Sequence, residues 1–438
     1  MTASRATARR AMRLDLVDTA VLEVLGMVRE QAWLADRALE VVLRRERRLY
    51  AAERRAAAEA LYGVVRWQGQ LEWLLGRRAG LAELYGAWLV RHGGVGAAAA
   101  ARRLGLSPAA LAGLADAGSR IARVADPVER LAVEQSLPAW LAGRLVAEMG
   151  AAEATALASA MNRRAPLTVR ANLLKTTREA LRDRLAGEGV PATPTPHSPW
   201  GLALDGHENA FALASFKEGL FEVQDEGSQL LALACGARPG MKVVDACAGA
   251  GGKSLALAAE MRNKGSLLAL DVDGDRLEEA RRRARRDGVD NLRTRVIPLG
   301  AEADAALRGE EGKADVVLVD APCSGLGTLR RKPDARWRLA PEEPESFAST
   351  QRELVARFAR LLRPGGRLVY ATCSVLRAEN EEVAAFAAGL RGLAPFPLAR
   401  TLGEPLAAAL GVEGNLLRLW PHRHGTDGFF AAALERRA

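Results

Sequence analysis

The sequence predicts an α/β fold: a doubly wound, mostly parallel sheet over residues 240–438, preceded by a small α+β zone and an all-helical zone. Three observations carry this. Apolar residues recur at helical spacing over residues 8–140. The texture changes over residues 141–239 to short strands and a proline-rich turn. From residue 240 onward, five short apolar runs alternate with helical patterns, which is the rhythm of βαβ units.

The helical zone is clearest in "LVDTAVLEVLGMVREQAWLADRALEVVL" and "AAERRAAAEALYGVVRWQGQLEWLL". Gly93-Gly94, Ser107-Pro108 and Asp126-Pro127 interrupt it. Arg44, Arg45, Arg47 and Arg48 suit a solvated face, with nucleic-acid contact as the second reading. In the middle zone, "PLTVRANLLK" reads as a strand and "TREALRDRLAGEG" as a helix closed by Gly187 and Gly189. A turn, "PATPTPHSPW", follows, and "GLFEVQDEGSQLLALAC" leads into the last zone. There, "MKVVDAC", "SLLALDVD", "LRTRVIPL", "ADVVLVDAP" and "GRLVYATCS" are the strands, with "SLALAAEM", "GDRLEEARRRARRDG" and "STQRELVARFARLLRPGG" as helices between them. "LLRLWP" and "DGFFAAALER" fit an antiparallel hairpin at one edge.

A chain of 438 residues is long for one core and fits two or three domains. Its 49% apolar and 26% charged content suits a soluble, folded protein. The net charge of +9 admits a polyanionic partner, although an arginine- and alanine-rich composition also follows from a GC-rich genome. Cys235, Cys247, Cys323 and Cys373 form no CxxC pair, so neither a disulfide scaffold nor a metal site is expected. No uncharged apolar stretch is long enough for a membrane span. A cytoplasmic, reducing location without membrane contact is expected.

In open α/β sheets, ligands bind beyond the carboxyl ends of the strands. Asp245 ends the first strand, Asp271 the second with Asp273 close behind, and Asp320-Ala321-Pro322-Cys323 the fourth. Ala371-Thr372-Cys373-Ser374 ends the fifth. The loop "DACAGAGGKS" after the first strand finishes like a phosphate-binding loop. That motif, however, needs glycine where Cys247 stands, and Gly249, Gly251 and Gly252 do not make a dinucleotide fingerprint either. A glycine turn remains, through which Cys247, Ala248, Gly249, Ala250, Gly251 and Gly252 bring backbone against a ligand. Asp271 suits the two hydroxyls of a ribose. A nucleoside without pyrophosphate fits that pairing, with S-adenosylmethionine foremost; a purely structural βα turn is the alternative. Cys235 lies in an apolar helix and reads as core. Cys323 and Cys373, each just past an apolar strand, are candidate nucleophiles, and two on adjacent strands suggest a two-thiol mechanism.

"DAPCSGLGT" (320–328) and "YATCSVLRAENE" (370–381) resemble the two cysteine motifs of the S-adenosylmethionine-dependent RNA cytosine-C5 methyltransferases. The resemblance extends through "FEVQDEGSQL" and "NRRAPLTVRANLLKTT". "LYGVVRWQGQLEWLL" resembles the NusB-like RNA-binding domain of the bacterial 16S rRNA branch, the Sun or Fmu type. The resemblance implies a Rossmann-like class I methyltransferase domain with a mostly parallel seven-stranded sheet. It also implies RNA as partner, foremost 16S rRNA at cytosine 967, with tRNA and other rRNA positions left open; a monomer is expected.

By the family pattern Cys373 is the thiol that adds to cytosine C6, and Cys323 assists the elimination that frees the product. DNA cytosine-C5 methyltransferases use the thiol of a Pro-Cys motif, which would nominate Cys323 instead. Asp320 would hold the base edge beside the cofactor, and Lys253 would face the cytosine pocket. Two departures stand out: Gly249-Ala250 replace the family's Ala-Pro, and Leu299 stands where an acid near the adenine belongs, with Glu302 and Asp304 further on. "RRKPDARWR" (330–338) reads either as a basic loop that grips phosphate and stacks a base on Trp337, or as a solvated loop. Competing readings are an RNA-binding assembly factor with a decayed catalytic domain and, against Cys247, a P-loop ATPase.

Overall fold

The computed structural model describes residues 12–114, 116–206, 209–300 and 302–437. They divide into two compact units. One runs to Asn162 and takes in Lys332–Arg338, and the other holds Arg163–Arg331 and the chain from Leu339 onward.

The first unit is helical. Its longest helix, Ala51–Leu75, buries Leu61, Val64, Val65, Leu71 and Leu74 at helical spacing and stops at Gly76 in the left-handed conformation. Leu14–Glu30 packs Val17, Val21, Val24 and Leu25 into the same core. Helices continue past residue 140, as Ala139–Met149 and Ala151–Asn162. Arg44, Arg45 and Arg48 pair with Glu40, Glu23 and Glu46 on the exposed surface, where such pairs contribute little.

The segment from Lys332 to Arg338 overturns an expectation. Trp337 does not offer a free stacking face: its Nε1 donates to Val65 O at 2.7 Å, and its ring occupies the space beside Gly69, where a Cβ would lie 2.5 Å from it. Arg336 is fully buried and donates to Gln135 O, Ser136 O and Asn162 Oδ1. Gln135 O and Ser136 O lie just past the end of the helix Pro127–Glu134, where a cation is favoured. A basic, tryptophan-bearing string therefore serves the core of the helical unit.

The second unit carries two sheets. The smaller is antiparallel, in the order β2-β3-β1-β4, with β1 Thr168–Ala171, β2 Ala192–Pro194, β3 Gly201–Leu204 and β4 Phe221–Val223. The helix Arg178–Gly187 packs Leu181 and Leu185 on it. The larger sheet has β5 Lys242–Asp245, β6 Ser266–Asp271, β7 Leu292–Val296, β8 Ala314–Asp320 and β9 Leu362–Thr372. It continues with β10 Leu393–Pro395, β11 Leu416–Leu419 and β12 Phe429–Arg436. The order is β10-β12-β9-β8-β5-β6-β7, with β11 paired to β12, so the sheet has eight strands rather than the seven implied by resemblance. β5 to β9 are mutually parallel, and β12 is antiparallel to β9. The closing hairpin forms, but β12 lies inside the sheet, between β9 and β10.

Strand periodicity explains why these runs read as continuously apolar. Val316 and Leu318 face one helical layer, while Val317 and Val319 face the other, and both sets are fully buried. Because β5, β6, β8 and β9 run the same way, their carboxyl ends share one rim. The strand order reverses at β5, which has β6 on one side and β8 on the other, and such a switch point is where open α/β sheets bind ligands.

Candidate active site

The loop that follows β5 leads into the helix Gly252–Glu260. Gly249 (φ +54°) and Gly251 (φ +82°) are left-handed. A Cβ on Gly251 would stand 2.8 Å from the Ala280 Cβ, whereas one on Gly249 meets nothing within 4 Å. The loop therefore passes the helix Gly274–Asp287 closely at one glycine and keeps an open face at the other. Gly249 N–H donates to Asp271 Oδ2 at 2.7 Å, and Asp273 N–H to Asp271 Oδ1 at 2.9 Å, which fixes the acid closing β6 against the loop.

Two arginines brace the loop from behind. Arg283 Nη1 donates to Ala250 O at 2.7 Å, and Arg170 Nη1, from β1, donates to Gly252 O at 2.8 Å. Arg283 is held by Glu222 of β4 at 2.7 Å, and Arg286 pairs with the same carboxylate. Burial opposes charge on Glu222, but the arginines outweigh it and hold the carboxyl below its usual range. Ala250, which stands where the resembled family carries proline, is thus tied through its carbonyl. Arg283→Met should weaken S-adenosylmethionine binding about tenfold, the value of one charge-assisted hydrogen bond. Calorimetric titration checks this, and a dissociation constant within about twofold of the parent would remove the brace from the account.

Beside the loop lie two ion-pairing and thiol groups. Lys253 Nζ meets Asp320 Oδ2 at 2.6 Å and lies 5.9 Å from the centroid of the Phe429 ring. Burial works against the ammonium, and Asp320 more than offsets it, so Lys253 titrates above the ordinary lysine range. Cys323 Sγ and Cys373 Sγ are 3.2 Å apart, and the Cys373 N–H points at Cys323 Sγ from 3.4 Å. Hydrogen bonding with the Cys323 thiol holds Cys373 below the usual thiol range against burial and Asp320, with Lys253 adding to the lowering; hydrogen bonding with Cys373 and burial push Cys323 up. Burial also raises Cys247, and takes Cys235, which is inside the core, up to about 12.

The structure thus brings Lys253, Asp320, Cys323 and Cys373 together, with the loop 247–252 and Asp271 alongside. Past β7, Leu299 is 78% exposed, and Asp304 is turned to Arg357 and Arg360. Asp245 is a site residue that sequence reasoning placed only at a strand end. It is buried, Ser254 Oγ donates to its Oδ2 at 2.7 Å, and its Oδ1 accepts no hydrogen bond. Burial takes this carboxyl up to about 7. The signal was available, as an acid closing an otherwise apolar strand immediately before a glycine turn. Among the described residues no cluster of His, Cys, Asp and Glu could hold a metal ion, and no helix is long and apolar enough to cross a membrane.

These groups fit a cationic nucleoside. Asp271, Asp320 and the buried Asp245 end three neighbouring strands at this rim, and such carboxyls suit a sulfonium and an ammonium. The buried, unpartnered Asp245 Oδ1 and the open face at Gly249 are what such a ligand would satisfy. Fold and site together define an S-adenosylmethionine-dependent methyltransferase.

Similarity to known proteins narrows the class. The family model described as 16S rRNA methyltransferase RsmB/F matches residues 232–435, and the RsmF/B-like ferredoxin-like domain matches 137–210. The "Probable ribosomal RNA small subunit methyltransferase B" of Bacillus subtilis is 33% identical over 319 residues, spanning 72% of this chain and 69% of that protein. The ribosomal RNA small subunit methyltransferase B of Xylella fastidiosa is 37% identical over 311 residues, 70% of either chain. The crystal structure of PH0851 superimposes with a TM-score of 0.77 at 27% identity, covering 97% of this chain and 99% of that one. The chain belongs to the RsmB/F family of 16S rRNA methyltransferases.

Proposed function

We propose that this enzyme methylates C5 of a cytosine in 16S rRNA, at position 967, through a covalent adduct between Cys373 and cytosine C6. The observation that carries the reading is the pair of thiols 3.2 Å apart at the ends of β8 and β9, beside the Lys253–Asp320 pair. A single structural cysteine would explain neither the second thiol nor the lysine.

C5 of cytosine is a weak nucleophile. Addition of the Cys373 thiolate to C6 forms an S–C6 bond and pushes the ring electrons toward N3, which leaves C5 enamine-like. The Lys253–Asp320 pair would stand at the N3 edge and pass a proton to N3 as negative charge develops there. S-adenosylmethionine, when bound, supplies an electrophilic methyl group; residues 247–252 with Asp245 and Asp271 would hold it. Once C5 carries the methyl group, a base removes the C5 proton, the S–C6 bond breaks, and aromaticity returns. Cys323, whose thiol keeps its proton, assists that release. The target base has to leave any stacked helix to reach the thiols.

In this reading the helical unit is a NusB-like RNA-binding domain, the zone 141–239 a second RNA-contacting domain, and the enzyme a cytoplasmic monomer. Transfer of a labelled methyl group to 16S rRNA, with bisulfite mapping of the product, tests it. One cytosine that resists bisulfite conversion, at 967, is expected. Label at another position or in tRNA would replace the substrate, and absence of cofactor binding by calorimetry would favour an RNA-binding assembly factor.

A further inference from the structure

Each of the two cysteines is followed by a serine, and both serines end on the same buried carboxylate. Glu379, at the end of the short turn Arg377–Glu379, is fully buried. Its Oε1 accepts the Ser324 N–H at 2.7 Å and Gln351 Nε2 at 3.3 Å. Its Oε2 accepts the hydroxyls of Ser324 at 2.6 Å and Ser374 at 2.5 Å. The residues on the other side of each cysteine are tied into the same network. Gln351 Nε2 also donates to Pro322 O at 3.0 Å, while Thr372 Oγ1 donates to Asn380 Oδ1 at 2.5 Å. Asn380 Nδ2 returns to Ser374 O at 3.1 Å.

β8 and β9 pair only as far as Asp320 and Ala371, so sheet hydrogen bonds no longer fix the loops where the thiols sit. Beyond that point the two loops are joined by the backbone bonds Ala321 N–H to Ala371 O at 2.9 Å and Gly327 N–H to Cys373 O at 2.8 Å, and by this side-chain network, which alone ties the residues flanking both cysteines to one group. We propose that Glu379 is a positioning residue: by clamping Ser324 and Ser374 it sets the separation of the Cys323 and Cys373 sulfurs. The proposal rests on the two-thiol reading of the active site. Glu379 makes no hydrogen bond to either sulfur; it acts through the backbone on which they are carried. Two thiols that act in turn on one carbon tolerate little error, since misplacement by an ångström costs on the order of 100-fold in rate.

The test uses the full chain, with Glu379→Gln and, separately, the double substitution Ser324→Ala/Ser374→Ala, which leaves Glu379 in place. Cofactor calorimetry and melting report the fold. Two further readouts follow: kcat and KM on a 16S rRNA transcript, and closure of the Cys323–Cys373 disulfide by diamide, located by mass spectrometry. In that closure the two thiols give up two electrons and two protons, and the diazene is reduced to a hydrazine. In both variants kcat should fall about 100-fold with KM within about twofold. Disulfide closure should slow at least about tenfold, because it requires the same approach of sulfurs. Folded variants that close the disulfide at the parental rate would overturn the clamp. If Glu379→Gln does not fold, the double serine variant decides alone. A parent chain that methylates no RNA, together with slowed closure in the variants, would overturn the two-thiol reading and leave the clamp standing.

Discussion

Cys373→Ala is expected to reduce methyl transfer by at least about 10⁴-fold, the scale of loss when a covalent nucleophile is removed. Without the thiol, C5 stays a weak nucleophile however well the cofactor and base are placed. Cys323→Ala should behave differently. Its adduct still forms, because Cys373 and Lys253 remain, but release is impaired, so protein and 16S rRNA should persist as a species resistant to denaturant. The asymmetry follows from geometry and charge. The two sulfurs share a hydrogen bond at 3.2 Å that, with Lys253, favours the Cys373 thiolate against burial and Asp320. Neither cysteine lies in the glycine loop, so S-adenosylmethionine affinity should stay within about twofold in both variants. Denaturing gels with labelled RNA and single-turnover methyl transfer make the comparison. If Cys373→Ala traps the RNA and Cys323→Ala does not, the nucleophile is Cys323, the arrangement of the DNA-type enzymes.

Much of this site was legible because it lies at chain positions that local pattern already marks. Apolar runs ending in Asp245, Asp271, Asp320 and Thr372 define β5, β6, β8 and β9, and residues just past parallel strands fall on one rim whatever the rest of the chain does. The sequence was silent where a side chain's role depends on a partner far along the chain. Arg336 and Trp337 read as an exposed basic string, because nothing local shows that Gln135, Ser136 and Val65 await them. Glu379 looked like one acid among several in "RAENE", since its meaning comes from Ser324, 55 residues earlier. Arg170 and Arg283 come from a small-sheet strand and a surface-patterned helix, yet both end on carbonyls of the glycine loop. The brace and the clamp are tertiary, whereas the loop and the thiols are local.

Gly327→Ala should cause the largest loss of stability of any single methyl addition near the site. Gly327 N–H donates to Cys373 O at 2.8 Å, and Gly428 N–H donates to Gly327 O at 2.8 Å. A Cβ at position 327 would lie 2.1 Å from Gly428 O, 2.7 Å from Gly428 C and 2.8 Å from Cys373 O. All three are backbone atoms, so no rotamer change can relieve the contact. One of two things has to move: the start of β12, which is pinned inside the sheet, or the loop that carries Cys373. The cost falls at the upper end for overpacking, about 3 kcal/mol. For a unit of this size that corresponds to a melting temperature lower by about 6–12 °C. If strain is relieved on the Cys373 side, the Cys373 thiol shifts and kcat falls with stability; if on the β12 side, stability falls alone. Gly187→Ala provides the contrast, because a Cβ there meets nothing within 4 Å, and its effect should stay within about 0.5 kcal/mol. Calorimetric melting with kcat measured on the same samples separates the two routes. A Gly327→Ala variant that melts within about 2 °C of the parent at full kcat would mean that the three backbones are not packed as closely as the structure has them.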